Sequence, residues 1–366
     1  MKPAYDAAQP LAAPHAHAGH GVRQTMMRVQ LALLPATLFG FWLYGWPAFF
    51  LWLITLAACL VFEFISLRLM GRAQIGRTLG DGSALLTGWL LALTLPPWAP
   101  WWVGVVGACI AIVVGKQVFG GLGHNVFNPA MVARVALLIA FPLPLTTWVA
   151  PLPLGSAAAP GFVEGLQITL GQLALPDAMS SATLLGHAKT ELSRGLDLAQ
   201  AFAGSTAPQP SWVGLRAGSL GESAAPLLLA GGLFLLATGV IRWQTPVGVL
   251  AGLAVPAAIA HALAPGHYLD AGTHLFAGAL MLCAFFIATD YVTAPATGSG
   301  QLLFGLGVGL LTWVIRSLGG YPEGVAFAIL LMNALTPIID HYAKPRILGR
   351  TRSGRPIDPA PAGKET

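Results

Sequence analysis

Charge is what this 366-residue sequence has least of: Asp, Glu, Lys and Arg together supply 9% of it, while 55% is hydrophobic. Soluble domains carry about 25% charge, so a water-facing globular fold is excluded. The apolar content is enough for about ten membrane spans of roughly 20 residues each, which also excludes a single-anchor protein. Cysteine is nearly absent. Cys59, Cys109 and Cys283 stand alone in apolar runs, with no Cys-x-x-Cys spacing, which argues against an iron–sulfur cluster or a zinc site and predicts three buried thiols. A Gly-x-Gly-x-x-Gly dinucleotide fingerprint is lacking. So is the apolar/polar alternation of a porin-type barrel, since stretches such as Phe49–Leu60 are continuously apolar. No small-residue cleavage site follows the first apolar run, so the first helix is expected to stay. The net charge of +5 forms no basic stripe of the kind that binds nucleic acid.

What is there reads as helices. Apolar windows between polar or Gly/Pro breaks predict spans at 29–46, 49–67, 83–96, 99–115, 126–149, 225–241, 246–264, 272–289, 302–318 and 324–341. With the N-terminus inside, fourteen of the 19 Lys and Arg fall on inner segments, Lys116 among them. The outer side receives only Lys189, Arg194 and Arg216, all within the long segment 150–224. Positive residues near short loops favour the cytoplasm, so both termini are expected there. The expectation is an all-α polytopic membrane protein. It has a cytoplasmic tail (1–28), five helices (29–149), an extracytoplasmic insert (150–224), five more helices (225–341) and a basic cytoplasmic tail (342–366). An odd number of spans per half requires related halves to be inverted. The strings Gly120–Phe127, before span five, and Gly319–Phe327, before span ten, are the sequence's support for such a repeat.

Several residues can carry chemistry. Asp177-Ala178-Met179-Ser180-Ser181-Ala182-Thr183-Leu184 places a threonine among small neighbours that leave its hydroxyl reachable by a modifying enzyme; taken alone, the string is more often an ordinary Ser/Thr-rich loop with Asp177 capping a turn. Asn128-Pro129 is a helix start. The preceding Gly120, Gly121, Gly123 and Asn125 form either a tight turn or a set of backbone donors for a phosphate, a flavin carbonyl or an ion. Gly218, Ser219 and Glu222 can be read the same way, close to the outer face. Charges in or near spans mark ion or proton routes unless they are paired or wetted. Glu63, Asp290 and Asp340 also fit interfacial snorkelling or helix capping. Arg134 lies inside span five and Arg316 inside span nine; Arg134 is suited to contact a flavin or pair with a carboxylate. His15, His17 and His20 make a metal-competent string or an uninvolved tail, and no metal site is assigned.

The Asp177–Thr183 string resembles the flavin-attachment motif of the NqrB/RnfD family, membrane subunits of the Rnf and sodium-pumping NADH:quinone oxidoreductase complexes. The resemblance runs from about Arg23 to Arg346. It includes Asp81–Gly88, Phe119–Met131, Gly218–Ser223, Thr289–Ala294 and Arg316–Phe327, and the length and short front fit the Rnf branch. It implies an FMN joined to Thr183 through a phosphoester by a flavin transferase outside the cytoplasm. Asp177, Ser180, Ser181 and Ala182 form the motif, and the sodium-pump branch suggests a second, non-covalent flavin such as riboflavin. It further implies a bacterial inner-membrane flavoprotein, a phosphoprotein in the sense of its ester. The chain would be one component of a redox-driven translocase, moving electrons between ferredoxin or flavodoxin and NAD. Its partners would be NADH-binding, ferredoxin-like, second flavinylated and small membrane subunits. Two positions depart from the pattern: Ser181 replaces a common Gly, and Tyr291 replaces a common Pro after Thr289-Asp290. A secondary transporter with inverted repeats and no flavin explains the spans but leaves Thr183 idle.

Overall fold

Gly45 decides how the first helix is used. The computed structural model describes residues 21–173, 180–203, 215–321 and 323–344. His15, His17, His20, Asp177 and the tail beyond Lys344 lie outside them. Helix α1 (Val22–Leu69) contains Pro35 and Pro47, and at Gly45 the backbone turns to φ 75°, ψ −162°, a conformation that side-chain-bearing residues avoid. The chain reverses there. Gly82 packs against Met26, and Gly88, about 9 Å further along the next helix, packs against Cys59. An unbroken α1 would hold Met26 and Cys59 about 50 Å apart. Spans one and two are therefore an antiparallel pair.

The chain continues through α2 (Ile75–Leu79), α3 (Ser83–Thr94) and α4 (Trp101–Cys109), which runs on as a π-helix (Ile110–Gln117). Helix α5 (Pro129–Ala140) starts where the sequence places it: the Asn128 side chain accepts from the Met131 N–H at 3.3 Å, and Pro129 takes the first turn. It stops short of the predicted span 126–149 because Pro142 disfavours a helical Phe141, which has ψ 66°. Short α6 (Pro142–Thr146) follows. Then come β1 (Trp148–Val149), α7 (Phe162–Thr169), β2 (Ser180–Ser181), α8 (Leu184–Ser193) and α9 (Leu198–Ala201). The two strands pair antiparallel, Trp148 opposite Ser181. These elements cover the end of the bundle where α1 reverses: Leu152 donates to the Leu43 carbonyl, and Gly165 fits against Trp46.

The second half comprises α10 (Ala225–Ala237), α11 (Gln244–Leu263), α12 (Ala271–Phe276), α13 (Leu280–Leu282) continuing as a π-helix (Cys283–Ile287), α14 (Gly298–Leu318) and α15 (Val325–Tyr342). Helices α1, α11, α14 and α15 are long and apolar enough to cross a membrane, and Trp101–Gln117, α5 and α10 are shorter apolar helices. The chain is thus a mostly helical, multi-pass membrane protein. Predicted span eight is a broken helix, interrupted at Ala277–Ala279. Helices α5 and α15 meet at Asn333, whose Oδ1 accepts the Asn128 N–H at 3.1 Å and whose Nδ2 donates to the Thr293 carbonyl at 3.2 Å. The two Gly-Gly strings turn differently: Gly120 and Gly121 are left-handed, whereas Gly319 has φ −80°.

Two charges expected at the surface lie inside. Position between spans predicts an inner-loop Lys116 and an interfacial Glu63; instead Lys116 is 2% and Glu63 0% exposed, 2.9 Å apart. Lys116 also donates to Ser83 Oγ at 2.8 Å, and Ser83 is bonded in turn to Asp81. Each charge is tolerated in the helix bundle because the other neutralises it. Asp290 and Asp340 accept backbone N–H groups in the turn before α14, from Val292 and Ala296, rather than capping a helix. Tyr291 donates to the Val240 carbonyl. Cys59 and Cys283 are buried, while Cys109 is half-buried.

Candidate functional site

Thr183 is the N-cap of α8. Its backbone is extended, and its hydroxyl accepts from the Gly186 N–H at 3.1 Å, satisfying one of the donors that a helix start leaves free. Thr183, Gly186 and Thr190, three and four positions apart, share one face of α8. That face lines a cavity of about 380 Å³, within the roughly 300–1,000 Å³ span of small-molecule sites. The far wall is formed by Arg134 and Leu138 from α5, Leu145 and Thr146 from α6, Trp148, and Tyr321 and Glu323 from the loop before α15. Trp148, Tyr321, Arg134 and Glu323 therefore line the same cavity as the threonine. The sequence suggested an accessible hydroxyl; the structure encloses it, with Thr183 only 6% exposed, because the walls come from elements far away in the chain.

Behind the cavity lies a concentration of buried charge. Arg316 Nη2 is 3.7 Å from Glu323, and its guanidinium donates to the carbonyls of His274 and Ala277 at 2.7 and 3.0 Å. Glu323 Oε1 accepts the Ala279 N–H at 3.1 Å, and Arg216 donates to the Phe276 carbonyl. Backbone groups freed in an apolar interior must find partners, and these three side chains supply them for the interrupted helix. Gly278, at φ +66°, is required there, since a Cβ would fall on Glu323 Oε1. Arg134 stands within electrostatic reach of Glu323 and Glu222. Its Nη1 and the Glu222 Oε1 have no hydrogen-bond partner among the described residues. Desolvation, then the Glu323 charge, push the Glu222 carboxyl up to about 7.

Of the residues singled out from sequence, Thr183, Ala182 and Arg134 meet on this cavity. Ser180 and Ser181 lead into it as β2. Ser219 and Glu222 are buried behind it, with Gly218 against the Glu222 carboxylate and Gly221 donating to the Leu93 carbonyl. Gly121, Gly123 and Asn125 are not on it. They precede the opposite end of α5, where Asn125 bonds the Phe127 carbonyl. Sequence reasoning missed Glu323 as a site charge, although an acid directly before an apolar run was the available signal. It also left Lys189 without a role; Lys189 donates to the carbonyls of Tyr321, Arg316 and Ile315 at 2.9, 3.3 and 3.4 Å.

Known proteins are similar to this chain over nearly its whole length. A curated protein of Halorhodospira halophila, named as the D subunit of an ion-translocating oxidoreductase complex, is 52% identical over 347 residues, 95% of this chain and 97% of its own. The protein of that name from Stutzerimonas stutzeri is 54% identical, covering 92% of this chain and 94% of its own. The one from Rhodobacter capsulatus is 47% identical, covering 84% and 85%. The profile described as the NQR2, RnfD, RnfE family matches residues 11–349, and the chain belongs to that family.

Proposed function

We propose that this chain is the D-type membrane subunit of an Rnf-type ion-translocating oxidoreductase complex, and that it carries electrons through an FMN joined to Thr183. The observation that carries the reading is the placement of the motif threonine on a cavity of about 380 Å³ at the start of a ten-residue helix. The residues present suit the group. The first turn of α8 offers backbone N–H groups and the positive end of a helix dipole to a phosphate. Arg134 adds a cation, and Trp148 and Tyr321 supply aromatic surface for a planar ring. A bound flavin supplies one- and two-electron redox chemistry that no side chain here can. The protein's own part is to fix the attachment point, exclude water and surround the site with the Arg134, Glu323 and Glu222 charges.

In this reading the Thr183 end of the bundle faces the periplasm and both termini the cytoplasm, with ten spans in two inverted halves. The family and the names of its relatives support membership in an ion-coupled complex. NADH-binding, ferredoxin-like and further flavin-bearing subunits, together with a flavin transferase, are the partners the reading requires. A broken helix like Ala271–Ile287 also suits a secondary transporter, but that reading leaves Thr183 and its cavity unused.

Co-expression with the transferase tests it. The wild-type chain is expected to run as a fluorescent, covalently flavinylated band in a denaturing gel, and Thr183→Val to run dark at the same abundance. Equal fluorescence in both would remove Thr183 as the anchor.

A further inference from the structure

Thr183 is well placed to hold a flavin and badly placed to receive one. The residue is 6% exposed, its oxygen is engaged by Gly186, and the cavity it lines is walled by α5, α6 and the loop before α15. A transferase must bring a phosphorus to within about 3–3.5 Å of that oxygen, with its own active site around both. A residue this buried does not offer its oxygen to a second active site.

Four ties hold the segment down. Leu184 and Leu185 pack with Ala277, with Phe202 and Leu269 against them, Ser180–Ser181 pair with Trp148–Val149, the Leu198 N–H donates to the Gly266 carbonyl at 2.9 Å, and Lys189 reaches the carbonyls of Ile315, Arg316 and Tyr321. The ladder is two residues long and the apolar cluster small, so 180–203 has the features of a unit that opens locally. Lys189 is the charged tie: it sets a cation on the carbonyl end of α14, where the helix dipole favours one, and it bridges from α8 to α14 and the loop before α15.

We propose that segment 180–203 is a flap that must lift before Thr183 can be flavinylated, and that Lys189 is the clip that closes it. This rests on the Thr183 reading above. In the open form the Thr183 oxygen attacks the flavin-side phosphorus of FAD. A new P–O bond forms as the anhydride P–O bond breaks, AMP leaves with the bridging oxygen, and the hydroxyl proton passes to a base of the transferase. No electrons change hands. Modification then belongs to the period before the flap closes, and the closed, unmodified chain is a poor acceptor.

The test uses the full-length chain made without the transferase, purified in detergent, then mixed with transferase and FAD; covalent flavin is followed by in-gel fluorescence. Lys189→Met is expected to be modified about fivefold faster than wild type, the factor for losing a cation at a helix end. Lys189→Arg, which keeps a donor, should stay near wild type. Hydrogen exchange of the α8 amides should speed up in the Met variant in proportion. Equal rates for wild type and Lys189→Met overturn the clip. If Lys189→Met does not fold, wild type alone decides: a chain flavinylated faster than its α8 amides open overturns the flap. Flavin missing from every chain, including those co-expressed with the transferase, overturns the Thr183 reading and this inference together.

Discussion

Lys116 shows how far a single side chain can depart from its sequence neighbourhood. It follows an apolar run and precedes a glycine-rich string, so it reads as a loop cation, yet it is enclosed and bonded to Glu63 at 2.9 Å. Removing one partner of such a pair strands the other. Lys116→Met is expected to cost about 3–5 kcal/mol in thermal unfolding in detergent, and the double variant with Glu63→Gln to recover most of that. Equal losses in single and double variants would mean the charges do not depend on each other. Glu222 supplies a pH-dependent counterpart. Its carboxyl is pushed up, first by burial, to about 7 from an ordinary 4.5. A raised folded-state value contributes stability that is fully present below about 4.5 and lost as pH rises through about 7. Between pH 5 and 8 the wild-type melting temperature should therefore fall while that of Glu222→Gln stays level; parallel curves would contradict it. Asn128 was legible from sequence because its role follows from a local rule, a cap beside a proline. Lys116, Lys189 and Glu323 were not, because their partners lie 53, 132 and 44 positions away.

Helices were legible as apolar runs, and their breaks less so. The reversal at Gly45 was visible because two full spans flank it. The interruption at Gly278 was hidden inside one apolar window, since what permits it is Arg316, Glu323 and Arg216 arriving from three other segments. The contact between α11 and α14 is made by Gly248-x-x-x-Gly252 facing Gly305-x-x-x-Gly309. Small residues at this spacing let membrane helices approach backbone to backbone. A Cβ at Gly252 would fall on the Leu306 carbonyl oxygen, and one at Gly309 on that of Val249. Gly309→Ala should force the pair apart at about 1–3 kcal/mol, whereas Gly320→Ala, which meets nothing within 4 Å, should stay within about 0.5 kcal/mol. Comparable thermal shifts for the two substitutions would show that the close approach carries no weight.

At the scale of the whole molecule, the site is a meeting of distant parts. α8 brings the threonine, α5 an arginine, the loop before α15 a glutamate and the segment before α10 another, and the broken helix between α11 and α14 anchors three of the charges. The motif at 177–183 marks Thr183 as the proposed attachment point, but only the fold could show that its hydroxyl lies at the wall of a cavity rather than on an open loop. Electron transfer through a tethered flavin follows from that cavity only if the tether is real. The most direct measurement is tandem mass spectrometry of peptides from the chain purified from membranes that contain the flavin transferase. The account predicts a peptide spanning Thr183 heavier by one FMN less one water, with fragments that place the addition on Thr183. An unmodified Thr183 peptide in that preparation, or the flavin on another residue, would contradict it.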